Sequence, residues 1–281
     1  MRYTTAAAFR RALDDRLSRQ GLVDGMDVSR LQRQVTYERF LARLFRVTGD
    51  TWVLKGGYAL ELRLGGQARA TKDLDFLAPL EADLLDTLQE TAEQNLGDHF
   101  EFQVELPRKG RLTGPPEGGQ RFRVTGRLDG RPYATFSVDV GQGDLLLSPL
   151  DQLPARVDVT FAGLPEETFP IYPRAEHFAE KLHAYTRPRS SGENTRVKDL
   201  LDLSLLLSDP AFPPAQAVAK TVRAVFEHYG THPVPQVIPL PPRTWQDTYQ
   251  ETAQELQHPV TDMDEAVREI QRFLQSGHST L

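Results

Sequence analysis

Two aspartates, Asp73 and Asp75, are the residues whose types and spacing most directly suggest chemistry. They alternate with Leu74 and Phe76, and residues two apart in a strand project to the same side. A strand over residues 72–77 would present both carboxylates on one face. Close carboxylates repel each other unless a cation lies between them, and such hard oxygen ligands suit Mg²⁺ or Mn²⁺. The alternative is a solvent-facing strand edge that carries two acids.

A glycine pair lies just upstream of these aspartates. Residues 51–54 are short, apolar and β-prone, Lys55, Gly56 and Gly57 favour a tight turn, and residues 58–64 favour a helix. Glycines at the start of a helix expose backbone N–H groups at the positive end of the helix dipole, which favours an anion. We therefore expect Gly56 and Gly57 to hold a phosphate, although a glycine pair alone is weak support.

A hairpin is predicted further along the chain, with strands over residues 121–128 and 133–140 that turn at Asp129 and Gly130. The polar faces of the two strands coincide only if the connection has an odd number of residues. This parity favours a three-residue loop over residues 129–131 rather than a two-residue turn. Arg121 would then lie opposite Asp139.

The remaining pattern predicts a mixed α/β unit over residues 1–165 and a helical unit over residues 166–281. The first contains helices over 5–19, 29–47 and 80–96, a strand over 100–106 and a mobile surface loop over 107–120. The second contains helices over 175–185, 197–207, 214–229, 241–257 and 263–275, with a proline-rich linker over 232–242.

Composition limits the classes of site and partner. The chain has 281 residues, no cysteine and a net charge of -6, so disulfides, thiolate metal sites and cysteine nucleophiles are excluded. An acidic total disfavours a uniformly positive surface, although local basic patches can persist. No signal-peptide pattern and no run of about 18 apolar residues is present. We therefore expect a cytoplasmic protein without a membrane span.

Two charged groups stand out in the predicted C-terminal helices. Lys181 lies at the edge of an apolar stripe, where it either extends harmlessly along the surface or points into a cleft. Asp202 is enclosed by leucines, and a carboxylate in such surroundings needs a partner. Lys198, one turn earlier, is either a structural partner of Asp202 or one half of a pair that orients Lys181 or the substrate.

Four segments, in the same order along the chain, resemble motifs of a known family. They are VLKGGYAL at 53–60, RATKDLDF at 69–76, AEKLHA at 179–184 and KDLLDL at 198–203. The sequence resembles the nucleotidyltransferases of the AbiEii/AbiGii and mycobacterial MenT toxin group, within the polymerase-β-like superfamily. The resemblance spans about residues 50 to 207. It implies an α+β fold, with a polymerase-β-like core built on a mixed sheet and a helical C-terminal domain. Where the superfamily often has serine, this chain has Gly57, so backbone contacts to phosphate would have to suffice.

The resemblance also implies a reaction and roles for individual residues. A nucleoside triphosphate would donate its nucleoside monophosphate to an acceptor hydroxyl, with a divalent ion held by Asp73 and Asp75. A third carboxylate is expected on a neighbouring strand, for which Asp139 is the candidate and Asp144 the fallback. Lys181 would neutralise triphosphate charge or assist the attacking hydroxyl, with Asp202 beside it. The remaining residues assigned to nucleotide binding are Lys55, Gly56, Gly57, Lys198 and Asp199.

The partners implied are an antitoxin protein and, for the MenT branch, the 3′ end of tRNA. Basic residues next to Asp139 would form an electropositive patch for RNA, opposed within the same span only by Glu117 and Asp129. They are Arg108, Lys109, Arg111, Arg121, Arg123, Arg127 and Arg131. Two alternatives stay open: a transferase that modifies a small molecule or a protein side chain, and a non-catalytic protein that binds a nucleotide or a partner.

Thr71 is a possible regulatory position. It lies two residues before Asp73 and, by strand parity, faces the same side as both carboxylates. Phosphorylation there would add roughly -1.5 to -2 charges beside the metal site, which would compete for the metal and repel a triphosphate. The alternative is an ordinary β-branched strand residue.

Overall fold

The computed structural model describes residues 1–112, 114–189 and 195–278. Its contacts divide the chain into two compact units. The first comprises Met1–Gly66, Ala70–Asp144 and Leu150–Ile171, and the second comprises Gln67–Arg69, Leu145–Pro149 and the chain from Tyr172 onward. The sequence pattern predicts a boundary near residue 165, and in the structure the first unit continues to Ile171.

Two long helices open the first unit. Helix α1 (Ala6–Asp24) begins where the Thr5 hydroxyl accepts a hydrogen bond from the Ala8 amide, and it ends at Gly25 in the left-handed conformation. Helix α2 (Val28–Thr48) begins at an aspartate cap and is buried along most of its length. Two shorter helices follow in the same unit, α3 (Gly56–Leu64) and α4 (Leu84–Glu93).

The first unit contains one mixed eight-stranded sheet in the order β3-β5-β6-β2-β1-β8-β7, with β4 paired to β5. The strands are β1 (Val53–Lys55), β2 (Asp73–Ala78), β3 (Phe100–Glu105), β4 (Arg111–Leu112), β5 (Gly119–Leu128), β6 (Arg131–Gln142), β7 (Asp151–Pro154) and β8 (Thr168–Ile171). β2 runs antiparallel to β1 and parallel to β6. This order places β2, the strand of the paired aspartates, between the glycine turn and the hairpin.

The hairpin corrects one prediction. Asp129 and Gly130 form a two-residue turn with φ of 58° and 67°, and Leu128 pairs directly with Arg131, so the predicted three-residue loop is wrong. A β-bulge beside Gly126 shifts the register instead. One extra residue in a bulge changes side-chain parity as an odd loop would, so the two polar faces still coincide.

Three strands were outside the sequence-based prediction. β4 lies inside the segment that the pattern assigns to a mobile loop, of which residue 113 is outside the described part of the chain. β7 and β8 carry Pro154 and Pro170, and proline weakens a strand signal because it cannot donate to the ladder. β7 tolerates Pro154 because it is the last strand of the sheet.

One face of this sheet forms the core and part of the other face is polar. Side chains from α2 and α3, such as Phe40 and Tyr58, pack with inward residues of β2, β5 and β6, such as Phe76 and Val138. The residues that alternate with them are polar and partly or fully exposed. Alternation of this kind lets an antiparallel region pack on one side while it presents charged groups on the other.

Five helices of the second unit pack together in the described range. They are α5 (Arg174–Thr186), α6 (Val197–Leu207), α7 (Ala215–Tyr229), α8 (Gln246–Glu255) and α9 (Met263–His278). The proline-rich linker is tethered rather than loose, because Tyr185 donates to the Pro239 carbonyl and Gln271 accepts from the Ile238 amide. No helix in the described part of the chain is long and apolar enough to cross a membrane.

Candidate active site

The paired aspartates lie on one face of β2. Asp73 and Asp75 are half-buried, and the residues after each of them, Leu74 and Phe76, are fully buried. In the parallel ladder with β6, Asp75 lies directly opposite Asp139. The three aspartates, named here the carboxylate cluster, therefore occupy adjacent positions on the polar face of β2 and β6.

Arg121 is bound to the third member of the carboxylate cluster. It lies opposite Asp139 in the β5–β6 ladder, as predicted, and donates from Nε and Nη2 to the two carboxylate oxygens at 2.7 and 2.6 Å. These hydrogen bonds, the charge of Asp139 and, more weakly, the charges of Asp73 and Asp75 raise the pKa of Arg121. Both oxygens of Asp139 are thus occupied by a guanidinium in this conformation.

Gly56 has no room for a side chain. It has a φ of +67°, and a Cβ there would lie 1.9 Å from Oδ2 of Asp75. The Asp75 carboxylate therefore rests on the backbone at the start of α3, where only glycine allows so close an approach. A second anion at this position would meet the negative charge of Asp75, which favours a cation there.

Thr71 holds the carboxylate of Asp73. Its hydroxyl donates to Oδ1 of Asp73 at 2.5 Å, so Thr71 lies beside this carboxylate, as expected from parity. β2 begins only at Asp73, so Thr71 is not a strand residue. Its side chain is buried, with 4% of the residue exposed, and a modifying enzyme would reach it only after local opening.

Lys55 and Asp144, one a predicted nucleotide ligand and the other the fallback for the third carboxylate, form an ion pair with each other. The Asp144 carboxylate is fully buried in this pair. Asp144 therefore has an ammonium partner in this unit, whereas Asp139 is the aspartate that lies opposite Asp75. Both candidates for the third carboxylate thus have a cationic partner, and of the two it is Asp139 that is paired with Asp75 in the sheet.

The second unit contains a compact ionic cluster on α5 and α6. Lys181 donates to Asp202 at 2.6 Å and reaches Asp199 at 3.4 Å. Arg69 forms two hydrogen bonds with the Asp202 carboxylate, at 2.9 and 2.8 Å. We call Lys181, Asp199, Asp202 and Arg69 the lysine cluster. Lys198 is exposed, and the partners of Asp202 are Lys181 and Arg69 rather than Lys198.

Charge pairing decides the protonation states of this lysine cluster. Burial opposes the charged form of Lys181, but the negative charges of Asp202 and Asp199 outweigh burial and the repulsion from Arg69, so its pKa is raised. Burial likewise opposes the charged form of Asp202, but Lys181 and Arg69 prevail, and the pKa of Asp202 is lowered. Lys181 is consequently an ammonium and Asp202 a carboxylate at neutral pH.

The carboxylate cluster fits a magnesium ion bound together with a triphosphate. In the described residues no group of three or more histidine or acidic side chains is arranged as a complete metal site. Mg²⁺, however, usually takes only one or two protein carboxylates and fills its octahedron with phosphate oxygens and water. Asp73 and Asp75 would supply those two carboxylates on one strand face, and the missing side chain of Gly56 lets the Asp75 carboxylate lie against the start of α3.

Sequence reasoning missed the role of Arg69. The residue belongs to one of the resembling segments, yet its partner Asp202 lies far away in the chain, and no local pattern links the two. The available signal was the need of a leucine-enclosed Asp202 for a cationic partner. That need is met twice, by Lys181 and by Arg69.

The solved structures to which the chain is similar include the following two. The MenT4 nucleotidyltransferase toxin of Mycobacterium tuberculosis has a TM-score of 0.51 and 21% identity, over 94% of this chain and 98% of that chain. JHP933 of Helicobacter pylori has a TM-score of 0.46 and 16% identity, over 89% and 93% of the two chains. No curated protein matches significantly. The MenT4 likeness shows a shared fold.

The strongest comparison is with a protein family. Residues 39–275 match the profile described as nucleotidyl transferase AbiEii toxin, type IV TA system. This range contains both clusters, the glycine turn, helices α5 to α8 and most of α9. The chain therefore belongs to the AbiEii family of nucleotidyltransferase toxins from type IV toxin–antitoxin systems.

Proposed function

We propose that this nucleotidyltransferase uses Mg²⁺ or Mn²⁺, held by Asp73 and Asp75, to transfer a nucleoside monophosphate to the 3′ end of a tRNA. The observation that carries the proposal is the carboxylate cluster itself. Two aspartates share one face of β2, and Asp139 lies opposite Asp75 on β6. Family membership supplies the reaction class and implies a nucleoside triphosphate substrate and an antitoxin partner.

The reaction is a displacement at the α-phosphorus. An acceptor hydroxyl oxygen bonds to that phosphorus, the bond to the oxygen that bridges to the β-phosphorus breaks, pyrophosphate leaves, and the hydroxyl proton is released. Asp73 and Asp75 would hold the divalent ion, whose charge would stabilise the negative charge that develops during the displacement. The role of Asp73 and Asp75 is to fix that ion, and positioning of this kind accounts for much of the rate in such reactions.

Gly56 and Gly57 receive the phosphates in this proposal. Both lie at the start of α3, where backbone N–H groups point out of the helix. The Asp75 carboxylate lies against Gly56, so a phosphate bound at this turn would lie next to a metal-binding carboxylate. Lys55, adjacent in the chain, contributes through its ion pair with Asp144, which fixes the end of β1.

Lys181 contributes a fixed positive charge to the same reaction. Its raised pKa makes it an ammonium, so neutralising triphosphate charge suits it better than accepting a proton from the attacking hydroxyl. Asp202 and Asp199 would keep its side chain in one orientation. Lys198, exposed at the start of α6, would add charge for the nucleotide.

The acceptor assignment depends on basic residues near Asp139, and the structure narrows that set. Arg123 and Arg127 lie opposite Glu105 and Glu101 of β3, so cross-strand acids offset part of the arginine charge. Arg121 is engaged by Asp139. The basic residues left for RNA are chiefly Arg108, Lys109, Arg111 and Arg131, all at loops or strand ends.

Control by the antitoxin would act at Thr71. A phosphate on its hydroxyl would replace the hydrogen bond to Asp73 with charge repulsion beside the metal site. Because Thr71 is buried, this modification requires the segment before β2 to open. We propose that exposure of Thr71 is part of the regulation.

The test is a transfer assay with each of the four triphosphates, total RNA and Mg²⁺. Label in the α-phosphate should enter a tRNA-sized product, and RNase or a chelator should abolish it. Label in the γ-phosphate should not be transferred. Label in a protein or a small molecule that survives RNase would support the alternative acceptor and reject tRNA.

A pair of matched variants tests the acceptor surface. Arg108→Ala/Lys109→Ala should raise the KM for RNA and flatten its salt dependence, with the KM for the triphosphate unchanged. Arg268→Ala/Arg272→Ala removes the same charge from exposed positions on α9 and should change neither constant. Equal effects of the two pairs would reject a specific RNA surface at residues 108–111.

A further inference from the structure

Buried hydrogen bonds connect α3 to the carboxylate cluster by a route other than Gly56. Oε1 of Glu61 accepts hydrogen bonds from the Thr71 amide at 3.3 Å and from Arg30 at 2.8 Å. Its other carboxylate oxygen, Oε2, accepts from Gln34 at 3.4 Å. Glu61 is 1% exposed, and burial raises its pKa despite the opposing charge of Arg30. Burial of a carboxylate costs free energy. Here the buried carboxylate of Glu61 fixes the segment before β2 through the Thr71 amide.

The segment before β2 needs such an anchor. Thr71 lies outside the strand, so its amide has no ladder partner, and Glu61 accepts it instead. The Thr71 carbonyl faces the hydroxyl of buried Tyr37 at 3.5 Å. The backbone at Thr71 is therefore fixed on both sides by groups from α3 and α2.

The carboxylate of Asp73 depends on Thr71 for its orientation. The Thr71 hydroxyl binds Oδ1 of Asp73, and no other group in the described ranges donates a hydrogen bond to this carboxylate. One oxygen is thus held and the second is presented for a ligand. Without Thr71 the side chain would sample several rotamers, and a metal would have to select one of them.

We propose that Glu61 is a positioning residue for the metal-binding carboxylate of Asp73, acting through Thr71. Helix α3 then fixes both aspartates of β2. Asp75 lies against the backbone of Gly56, and Asp73 is held by the hydrogen bonds that lead from Glu61 through Thr71. This inference rests on the proposed function, because it takes Asp73 and Asp75 as metal ligands. It predicts that changes 12 residues away in sequence from Asp73 alter metal affinity.

Glu38 provides a matched control. It is also a buried glutamate of the first unit, but its hydrogen bonds come from Tyr58 and from the amides of Arg156 and Val157, not from Thr71. Glu38→Gln and Glu61→Gln therefore each replace one carboxylate that is almost fully buried in the same unit. Only the second lies on the route to Asp73.

The experiment measures Mn²⁺ binding by electron paramagnetic resonance, together with melting temperature, without nucleotide. Glu61→Ala should weaken Mn²⁺ binding about tenfold, as loss of an outer partner of a metal ligand typically does. Glu61→Gln, which keeps one acceptor oxygen, should weaken it less. Glu38→Gln should lower the melting temperature and leave the Mn²⁺ affinity within about twofold.

The hydrogen bond from Thr71 to Asp73 can be tested without a substitution in α3. Thr71→Val removes the hydroxyl and should weaken Mn²⁺ binding severalfold at nearly constant melting temperature, and Thr71→Ser should restore it. This pair decides the question even if Glu61→Ala does not fold. Wild-type Mn²⁺ affinity in Thr71→Val, or an equal loss in Glu38→Gln and Glu61→Gln, would overturn the inference.

Asp75→Ala separates this inference from the proposed function. If wild-type protein and Asp75→Ala bind Mn²⁺ equally, the metal assignment itself fails. If Mn²⁺ binding depends on Asp75 but not on Glu61 or Thr71, only the positioning inference fails.

Discussion

The carboxylate cluster of the first unit and the lysine cluster of the second contain the same kinds of charged group in opposite electrostatic states. In the carboxylate cluster, Arg121 binds Asp139 and its side chain is 47% exposed, while Asp73 and Asp75 act on it only through their charge. In the lysine cluster, Asp202 has two cationic partners and is fully buried. The first cluster has an excess of negative charge and can accept a cation, whereas the second is closely paired and holds an ammonium in place.

Net charge thus distinguishes a site that can bind a cation, such as the carboxylate cluster, from a paired cluster that holds one side chain in a fixed orientation. Like charges held close together repel one another, and functional sites often keep such groups where a ligand compensates the charge. A buried, fully paired cluster adds little net stability but becomes strongly destabilising when one member is removed. The two clusters should therefore respond in opposite ways to loss of a charged residue.

The largest expected effect is loss of transfer in Asp75→Ala. We expect activity to fall at least about a hundredfold while the melting temperature stays the same or rises, because a ligand is lost and a repulsion is relieved. The measurements are steady-state transfer with Mg²⁺ and thermal unfolding.

Asp83→Ala is the control for this variant. Asp83 caps α4 through the amides of Leu85 and Asp86, and its loss should cost about 1 kcal/mol of stability with activity retained. Full activity in Asp75→Ala would refute the assignment of the carboxylate cluster.

The lysine cluster should show the reverse pattern. Lys181→Ala leaves buried Asp202 with Arg69 alone, so we expect transfer to fall by orders of magnitude and stability by about 3–5 kcal/mol. Lys181→Arg should recover stability better than activity, because a planar guanidinium does not replace a compact ammonium. If Lys181→Ala only lowers the melting temperature and spares transfer, Lys181 is purely structural.

Replacement of Arg121 tests whether the charge of the carboxylate cluster controls its affinity for a metal ion. Arg121→Ala releases both oxygens of Asp139, so Mn²⁺ should bind severalfold more tightly to a cluster that has gained a third ligand. The matched control is Arg123→Ala on the same strand face, which should leave the Mn²⁺ affinity unchanged. Weaker Mn²⁺ binding in Arg121→Ala would show that Asp139 is not available to the metal.

The smallest expected effect concerns pH. Burial raises the pKa of Glu38 to about 7 from its ordinary value near 4.5, although the amides of Arg156 and Val157 and the Tyr58 hydroxyl favour its charged form. The folded state therefore binds more protons than the unfolded state between these values, and the unfolding free energy should fall as pH rises from 4.5 to 7. Denaturant titrations should show this slope in the wild type and a flatter one in Glu38→Gln.

The lysine cluster should not contribute to that slope. The raised pKa of Lys181 gives stability that is present below its unfolded value of 10.5 and is lost only as pH rises through the folded pKa. The lowered pKa of Asp202 gives stability that is lost only as pH falls through its folded pKa, below 3.8. A slope between pH 4.5 and 7 that survives in Glu38→Gln would point to other groups.

The sequence predicts the carboxylate cluster better than the lysine cluster, for a physical reason. The alternation of Asp73 and Asp75 with apolar residues is local, strand parity across the hairpin predicts Arg121 opposite Asp139, and the family resemblance places Asp139 on a strand next to the pair. Even the wrong loop length at Asp129 left that parity intact, because the bulge beside Gly126 supplies the odd residue. Local periodicity is thus enough to place these groups on one face.

The lysine cluster depends on a contact that no local pattern contains. Asp202 was expected to pair with Lys198, four residues earlier, yet it is bound by Arg69 from a distant part of the chain. The strands β7 and β8, which contain Pro154 and Pro170, are not predicted for a related reason. Proline weakens the local strand signal, and the pairing of these short strands depends on residues distant in sequence. Burial explains that Asp202 needs a partner but not which residue supplies it.

The most direct test of the central claim, that Asp75 ligates a catalytic divalent ion, is a change of metal preference. The chain has no cysteine, so Asp75→Cys introduces a single thiolate ligand, which favours softer ions such as Zn²⁺ over Mg²⁺. We predict that Asp75→Cys is inactive with Mg²⁺ and partly recovers nucleotidyl transfer with Zn²⁺ or Cd²⁺, whereas Asp75→Ala recovers with none of them. Near wild-type transfer by Asp75→Cys in Mg²⁺ would contradict the account.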